Sequence, residues 1–286
     1  MERDVKNRLR LWLQSERALG LPAVGPVQFS TASTASSSVE SPIVADELAP
    51  IPTPRPIDLF GTPEPAKTLL PEFLSSPIQQ GFDGPELSLE EKIARLAAMN
   101  QNEVTGCTKC RLCEQRTHTV FGEGDPNAKL FFIGEGPGET EDRTGRPFVG
   151  RAGELLDKMI GAMGLKREQV YIGNIVKCRP PGNREPAPDE TETCTPYLER
   201  QLEIIRPKVI VTLGRPATQH MLQTKMPMGR MRGHWQSWRG IKLMPTFHPA
   251  YILRNDTRET KAMVWSDLKQ VMAEVGLALP KPRREA

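Results

Sequence analysis

No long uncharged apolar run occurs in these 286 residues, so no stretch reads as a helix built to cross a bilayer and no membrane partner is expected. The opening residues, MERDVKNRLRLWLQSE, scatter charge through their length and hold no apolar signal core. Secretion is therefore not expected, and the expected compartment is the cytoplasm. Cysteine is scarce, with 5 residues. An odd count without a secretory signal argues against a disulfide framework and for metal binding or redox chemistry. No internal repeat is visible, and the Gly-rich turn at 134–138 lacks the following Lys-Ser or Lys-Thr of a nucleotide P-loop. Net charge is also low, at +3, but that total conceals an asymmetry. Residues 1–90 carry 7 Lys and Arg against 12 Asp and Glu, and the remainder carries 31 against 23. A basic back half permits a phosphate-backbone partner without requiring one.

Proline is plentiful at the front. Residues 1–20 pattern as a short amphipathic helix through Val5, Leu9, Leu11, Trp12 and Leu13, closed by Gly20-Leu-Pro22. Between Leu21 and Glu90 there are 12 prolines, with STASTASSSVESP and PIPTPRP among them. Such a segment buries too little apolar surface to offset chain entropy, so 21–87 is expected to be a disordered Pro/Ser-rich tether. A docking tail for a protein partner is the alternative. Order is expected from 88 to 278, followed by a basic tail at 279–286. Ser88 and Glu91 form a capping pattern, with Leu89, Ile93, Leu96 and Ala97 on one helical face. Strands are expected at 129–133, 170–176, 208–214 and 241–247. They alternate with helices at 149–165, 189–207, 215–222 and about 258–275. Short apolar strands alternating with helices predict an α/β fold: a parallel sheet covered on both faces, a three-layer α/β/α sandwich.

Ligands of such sheets bind at the carboxyl ends of the strands. The loops expected there are 134–148, 174–188, 214–216 and 248–255, and they hold most of the unusual residues. GEGPGETED, residues 134–142, puts three glycines and four carboxylates directly after the apolar strand KLFFI. CTKCRLC supplies Cys107, Cys110 and Cys113, and Cys178 and Cys194 follow much later. A C-x-x-C turn presents two thiolates to one metal, and a second pair closes the site when a loop folds back. Four thiolates suit zinc or an iron–sulfur cluster, and the spacing alone selects neither the metal nor which four bind.

Together with the upstream C-x-x-C, the segments GEGPGETED, GRPFVGRAGELLDKM, YIGNIVKCRPPGNREP, IRPKVIVTLG and FHPAYILRN resemble the family 4 uracil-DNA glycosylases. These are the iron–sulfur branch of the uracil-DNA glycosylase superfamily. The resemblance covers about residues 90–275. It implies the fold of that superfamily and a monofunctional DNA repair hydrolase that releases uracil and leaves an abasic site. It implies a [4Fe–4S] cluster on Cys107, Cys110, Cys178 and Cys194, structural in role, with Cys113 a bystander and zinc the second choice of metal. It also implies that Gly134, Glu135 and Gly136 lie against the base and the reacting water. Phe148 would stack on uracil, Asn174 would read its edge, and His248 would stabilise the leaving base.

The chemistry explains why these residue types are wanted. Cleaving the bond between uracil and deoxyribose leaves cationic character on the sugar and negative charge on the base. A carboxylate beside the sugar can hold water and favour the cation. Glu135 is the first choice and Glu141 the second, orienting the Glu135 loop. His248 would donate to the uracil O2. Asn174 offers one acceptor and one donor, matching uracil N3–H and O4, where cytosine presents the reverse. The base must be flipped from a duplex, a cost that single strands largely avoid. Tyr251, Ile252, Leu253 and Arg254 are candidates for the wedge or phosphate contacts, and Arg179, Arg184, Arg143 and Arg146 for further phosphate contacts. The expected partners are uracil-containing DNA, single- or double-stranded, and a replication or repair protein held by the N-terminal tail. A monomer is expected. The rival functions are a uracil-DNA binding protein that traps rather than turns over, and a replication-associated interaction module.

Overall fold

The computed structural model describes Phe82 and residues 84–279. The expectations for 1–20, for most of 21–87 and for most of 279–286 lie outside the described residues. The described ones fall within one compact unit, Leu69–Ala286.

The core is a sheet of six strands in the order β1-β3-β2-β4-β6-β5. They are β1 (Glu123–Gly124), β2 (Leu130–Gly134), β3 (Tyr171–Asn174), β4 (Val209–Leu213), β5 (Gln236–Trp238) and β6 (Ile241–Thr246). The four inner strands are parallel, as the pattern predicts. The two short edge strands, β1 and β5, run antiparallel to their neighbours, so the sheet is mixed. Neither edge was foreseen: two or three residues carry no readable alternation.

Strand β2 is buried along its whole length, as a central strand covered on both faces must be. Its side chains divide with period two. Phe131 and Ile133 join one apolar cluster with Leu96, Met99, Tyr197, Leu198 and Leu202. Leu130 and Phe132 join the other, with Leu156, Ile160, Leu268 and Val271. The first cluster belongs to α1 (Leu89–Met99) and α4 (Pro188–Ile205), and the second to α3 (Arg151–Ala162) and α8 (Arg258–Val275). This is the expected three-layer sandwich. Burial of this kind stabilises by about 25 cal/mol per Å² of apolar surface.

Helix α1 forms with the expected Ser88–Glu91 capping box, but it buries a different face from the one anticipated. Leu89 and Ile93 are exposed, and Lys92, Leu96 and Met99 are buried. The Lys92 ammonium donates to the carbonyl of Ile205 at 3.2 Å, at the end of α4. Leu96 is buried as anticipated, and Lys92 and Met99 share the inner face in place of Leu89 and Ile93. Two expected loops also contain helices, α2 (Glu139–Thr144) and α7 (Pro249–Arg254). The helices α5 (Arg215–Leu222) and α6 (Met228–Met231) complete the set used below.

The chain passes from β2 outward to β3, then returns to β4 on the other side of β2. The strand order reverses there, which opens a crevice at the carboxyl ends.

Candidate active site

Register alone brings the first residues of the site together. Gly134 ends β2 directly opposite Asn174 at the end of β3. On the other side, Leu213 of β4 lies opposite Thr246 of β6, so Gly214 and His248 leave adjacent strands. A cleft of about 950 Å³ opens over these ends, the size of a site for a small ligand. Its lining includes Glu135, Gly136, Glu141, Phe148, Asn174, His248, Tyr251 and Arg254.

Gly134 forms part of the site through close approach. A Cβ there would lie 2.4 Å from Asn174 Oδ1 and 2.5 Å from Phe148 Cζ. The missing side chain is therefore the space in which Asn174 and Phe148 meet. Gly214 serves His248 in the same way, since a Cβ would stand 2.9 Å from the His248 Cβ.

Asn174 is 1% exposed, and neither its amide oxygen nor its amide nitrogen has a hydrogen-bond partner. Buried polar groups are nearly always paired, and each orphan costs about 1–3 kcal/mol. Its backbone is held from behind: Lys177, fully buried, donates to the Asn174 carbonyl at 2.9 Å and to Gln201 Oε1 at 2.7 Å.

His248 caps α7, accepting the N–H of Ala250 on Nδ1 at 3.0 Å. An accepting Nδ1 places the proton of a neutral ring on Nε2. Desolvation, aided by the charge of Arg254, pushes the His248 pKa down to about 4, so the ring is neutral near pH 7. It packs against Phe148 with ring centroids 5.6 Å apart.

Glu135 is pushed the other way. Burial, and then the charge of Glu185, raise its pKa to about 7, with Arg215 opposing. Glu141 is differently placed. Its Oε1 accepts the backbone N–H groups of Val149 at 2.9 Å and Gly150 at 2.8 Å. It therefore orients the loop of Phe148, where the loop of Glu135 was anticipated.

Phe148 is buried and has φ of 49°, a left-handed conformation that costs a bulky residue on the order of 1–3 kcal/mol. Of the two neighbours that enforce it, Gly153 and Arg167, only the glycine lies in a segment that the sequence singled out. A Cβ on Gly153 would sit 1.9 Å from the Phe148 oxygen, so only glycine lets α3 start beneath this loop. Arg167 donates to the Phe148 carbonyl at 3.1 Å and also to the Pro147 carbonyl. Gly153 lies within the GRPFVGRAGELLDKM segment, but Arg167, 19 and 20 positions from the carbonyls it holds, belongs to none of the quoted motifs.

The expected phosphate contacts divide. Arg184 is committed to Glu190, at 2.8 and 2.6 Å, and hydrogen bonds from Arg184, then Ala187 N–H and Arg111, hold the Glu190 carboxyl at about 2 despite its burial. Arg179 donates to Asn183 at 2.7 Å, and Arg146 to Glu123 at 2.9 and 3.0 Å. Arg254 lines the cleft with no hydrogen bond or ion pair among the described residues. Tyr251 and Leu253 beside it are exposed, and Ile252 is buried core.

Among the described residues, no three Cys, His, Asp or Glu side chains are placed to grip a metal ion. Even so, Cys107, Cys110, Cys178 and Cys194 line one small cavity, with Cys113 outside its lining. Two of these sulfurs meet donors: Arg116 Nη1 lies 3.2 Å from Cys178 Sγ, and the Lys177 N–H lies 3.2 Å from Cys194 Sγ. The donor set suits a thiolate-bound group, since hydrogen bonds to sulfur favour the anion that such a group requires. Burial pushes the bare thiols of Cys110, Cys178 and Cys194 up, Cys178 to about 11.

The profile of the Uracil DNA glycosylase superfamily matches residues 121–269. A type-4 uracil-DNA glycosylase of Thermotoga maritima is 48% identical over 169 residues, covering 58% of this chain and 88% of that protein. One of Sulfurisphaera tokodaii is 50% identical over 165 residues, covering 54% and 74%. One of Archaeoglobus fulgidus is 44% identical over 178 residues, covering 59% and 88%. The family match spans the sheet strands and most of the cleft lining just described.

Proposed function

The chain belongs to the uracil-DNA glycosylase superfamily, and on that premise we propose that its cleft hydrolyses the N-glycosidic bond of a flipped deoxyuridine in DNA. The observation that carries this reading is Asn174. A buried amide with both polar atoms unpaired demands a ligand offering one donor and one acceptor in line. Uracil N3–H and O4 offer that pair, and cytosine offers the reverse.

The other side chains take their roles around this anchor. Phe148 supplies a ring face for the base. His248 presents Nε2–H as a neutral donor, since Nδ1 is occupied by Ala250. A neutral donor stabilises charge developing on the uracil O2 without carrying its own charge into the free site. Glu135, ionised above about pH 7, orients the attacking water and offsets the sugar cation. Gly134 and Gly136 keep the floor open to the base. Tyr251 and Leu253 stand where a wedge would replace the extruded base, with Arg254 free for a phosphate. The neighbouring Arg179 and Arg184 hold the 180–190 loop.

Cys107, Cys110, Cys178 and Cys194 would hold the [4Fe–4S] cluster. When bound, the cluster would cross-link the loops flanking the cleft. The choice of a cluster over zinc rests on the resemblance to the family 4 enzymes, with the four sulfurs lining one cavity.

The test is uracil release from a single-stranded oligonucleotide carrying one deoxyuridine, followed by alkali cleavage. The wild type should release uracil. Asn174→Ala and His248→Ala should lower kcat/KM by about 100-fold or more, the scale on which a lost directed hydrogen bond acts in a dry site. An iron-loaded wild type that releases no uracil would overturn the reading.

A further inference from the structure

We propose that Arg167 is a positioning residue that fixes the base-stacking face of Phe148; the proposal rests on the reading of Phe148 as the platform for the base. Arg167 does not line the cleft. Its side chain is 14% exposed, and its guanidinium is bound by four acceptors. Two are the consecutive carbonyls of Pro147 and Phe148. Two are carboxylates, Glu123 at 2.8 Å and Asp157 at 2.7 Å. Burial alone would raise the pKa of Glu123, but hydrogen bonds from Arg146 and Arg167 outweigh it and hold the pKa low.

The arrangement is a clamp with opposite charges on its two sides. The cation takes the carbonyls at 147 and 148. The anion of Glu141 takes the N–H groups at 149 and 150. Between them lies the left-handed Phe148, seated over the space left by Gly153. Backbone in a sparsely populated region persists only where its surroundings over-determine it. Here they come from β1 through Glu123, from α3 through Asp157, and from α2 through Glu141. The planar fork of arginine reaches two adjacent carbonyls and two carboxylates together, which a lysine ammonium cannot. With Arg167 removed, Phe148 is expected to relax towards ordinary φ and turn its ring from the plane facing His248.

A double-mutant cycle on the full-length holoenzyme tests this, using Arg167→Gln, Phe148→Ala and the double variant. Uracil release from the single-stranded deoxyuridine oligonucleotide is measured well below each variant's melting temperature. Arg167→Gln should lower kcat/KM by about 10- to 100-fold, the usual result of a misplaced binding group. Inhibition by free uracil should weaken in parallel, and affinity for an oligonucleotide without uracil should not change. In the Phe148→Ala background the same substitution should cost less than about 3-fold, because the residue it positions is gone. Arg167→Lys should recover part of the loss, and it replaces Arg167→Gln in the cycle if that variant does not fold. Equal losses in both backgrounds, or unchanged uracil inhibition, would overturn the role of Arg167. A fully active Phe148→Ala enzyme would overturn the platform and this proposal with it, while leaving the glycosylase reading intact. An inactive wild type would instead defeat the glycosylase reading.

Discussion

At the scale of single residues, the site works by pushing two titratable groups away from their ordinary values. Glu135 stays protonated up to about pH 7 because its carboxylate is poorly hydrated and faces Glu185. If the anion is what orients water, kcat/KM should fall as pH drops through about 7. Glu135→Gln should be slow and lack that limb, and a pH–rate profile of both proteins checks this. The same shift has a consequence for stability. A carboxyl whose folded pKa is raised contributes stability that is fully present below its unfolded pKa and is lost as pH rises through about 7. Glu135→Gln should therefore melt above the wild type at pH 8, and by a smaller margin at pH 4; thermal denaturation at the two pH values decides. Gly134 offers a steric counterpart. Its Cβ position lies 2.4 Å from the Asn174 amide oxygen and 2.5 Å from the Phe148 ring. Gly134→Ala should abolish most uracil release and also lower stability by about 1–3 kcal/mol in a denaturant titration, since the clash falls on two buried side chains.

At the scale of elements, the acids after β2 acquire separate duties. Glu139, Glu141 and Asp142 occupy the first turn of α2, where negative charge complements the helix dipole. Glu141 then grips the Phe148 loop. Asp142 accepts the Thr117 N–H at 2.9 and 3.0 Å, tying the segment after the first cysteines to the site. Glu139 is exposed at the surface. Helix α1 shows the converse case, where local signals were right and the facing was wrong. The capping box formed as its pattern demands, with Glu91 N–H donating to Ser88 Oγ at 3.3 Å. Ser88→Ala should cost about 1 kcal/mol in a denaturant titration. Its buried face holds Leu96 and Met99 together with Lys92, whose ammonium reaches the end of α4, a partner 113 residues away that no periodicity can reveal.

At the scale of the whole molecule, the cysteine cavity links segments remote in sequence. Cys107 and Cys110 come from the turn after α1, Cys178 from the loop after β3, and Cys194 from α4. That loop also carries Lys177, whose ammonium holds the Asn174 carbonyl. A bound cluster would therefore stiffen the peptide that carries the Asn174 amide. Cys178→Ser should lower bound iron per chain and the melting temperature, while Cys113→Ser should leave both unchanged. Equal iron loss in the two variants would exclude the four-cysteine assignment. Among the described residues no helix is long and apolar enough to cross a membrane.

Periodicity and motif order were enough to read the alternation of strands and helices, the capping of α1 and the edge of the sheet that carries the cleft. These features follow from interactions within a few residues, or from the rule that apolar strands in a covered sheet are buried on both faces. The resemblance to the family 4 uracil-DNA glycosylases put Glu135, Phe148, Asn174 and His248 in one set, and all four line the cleft. The tertiary structure decided what holds that set in place. The tautomer of His248 is set by the Ala250 N–H two residues along, whereas the unpaired amide of Asn174, the assignment of Glu141 to the Phe148 loop and the clamp of Arg167 depend on residues that packing brings together. The ion pair of Arg184 with the buried Glu190 carboxylate has the same origin, and its guanidinium still lines the cleft. Sequence spacing carries chemistry along the chain, but burial and hydrogen-bond partners belong to the packed fold.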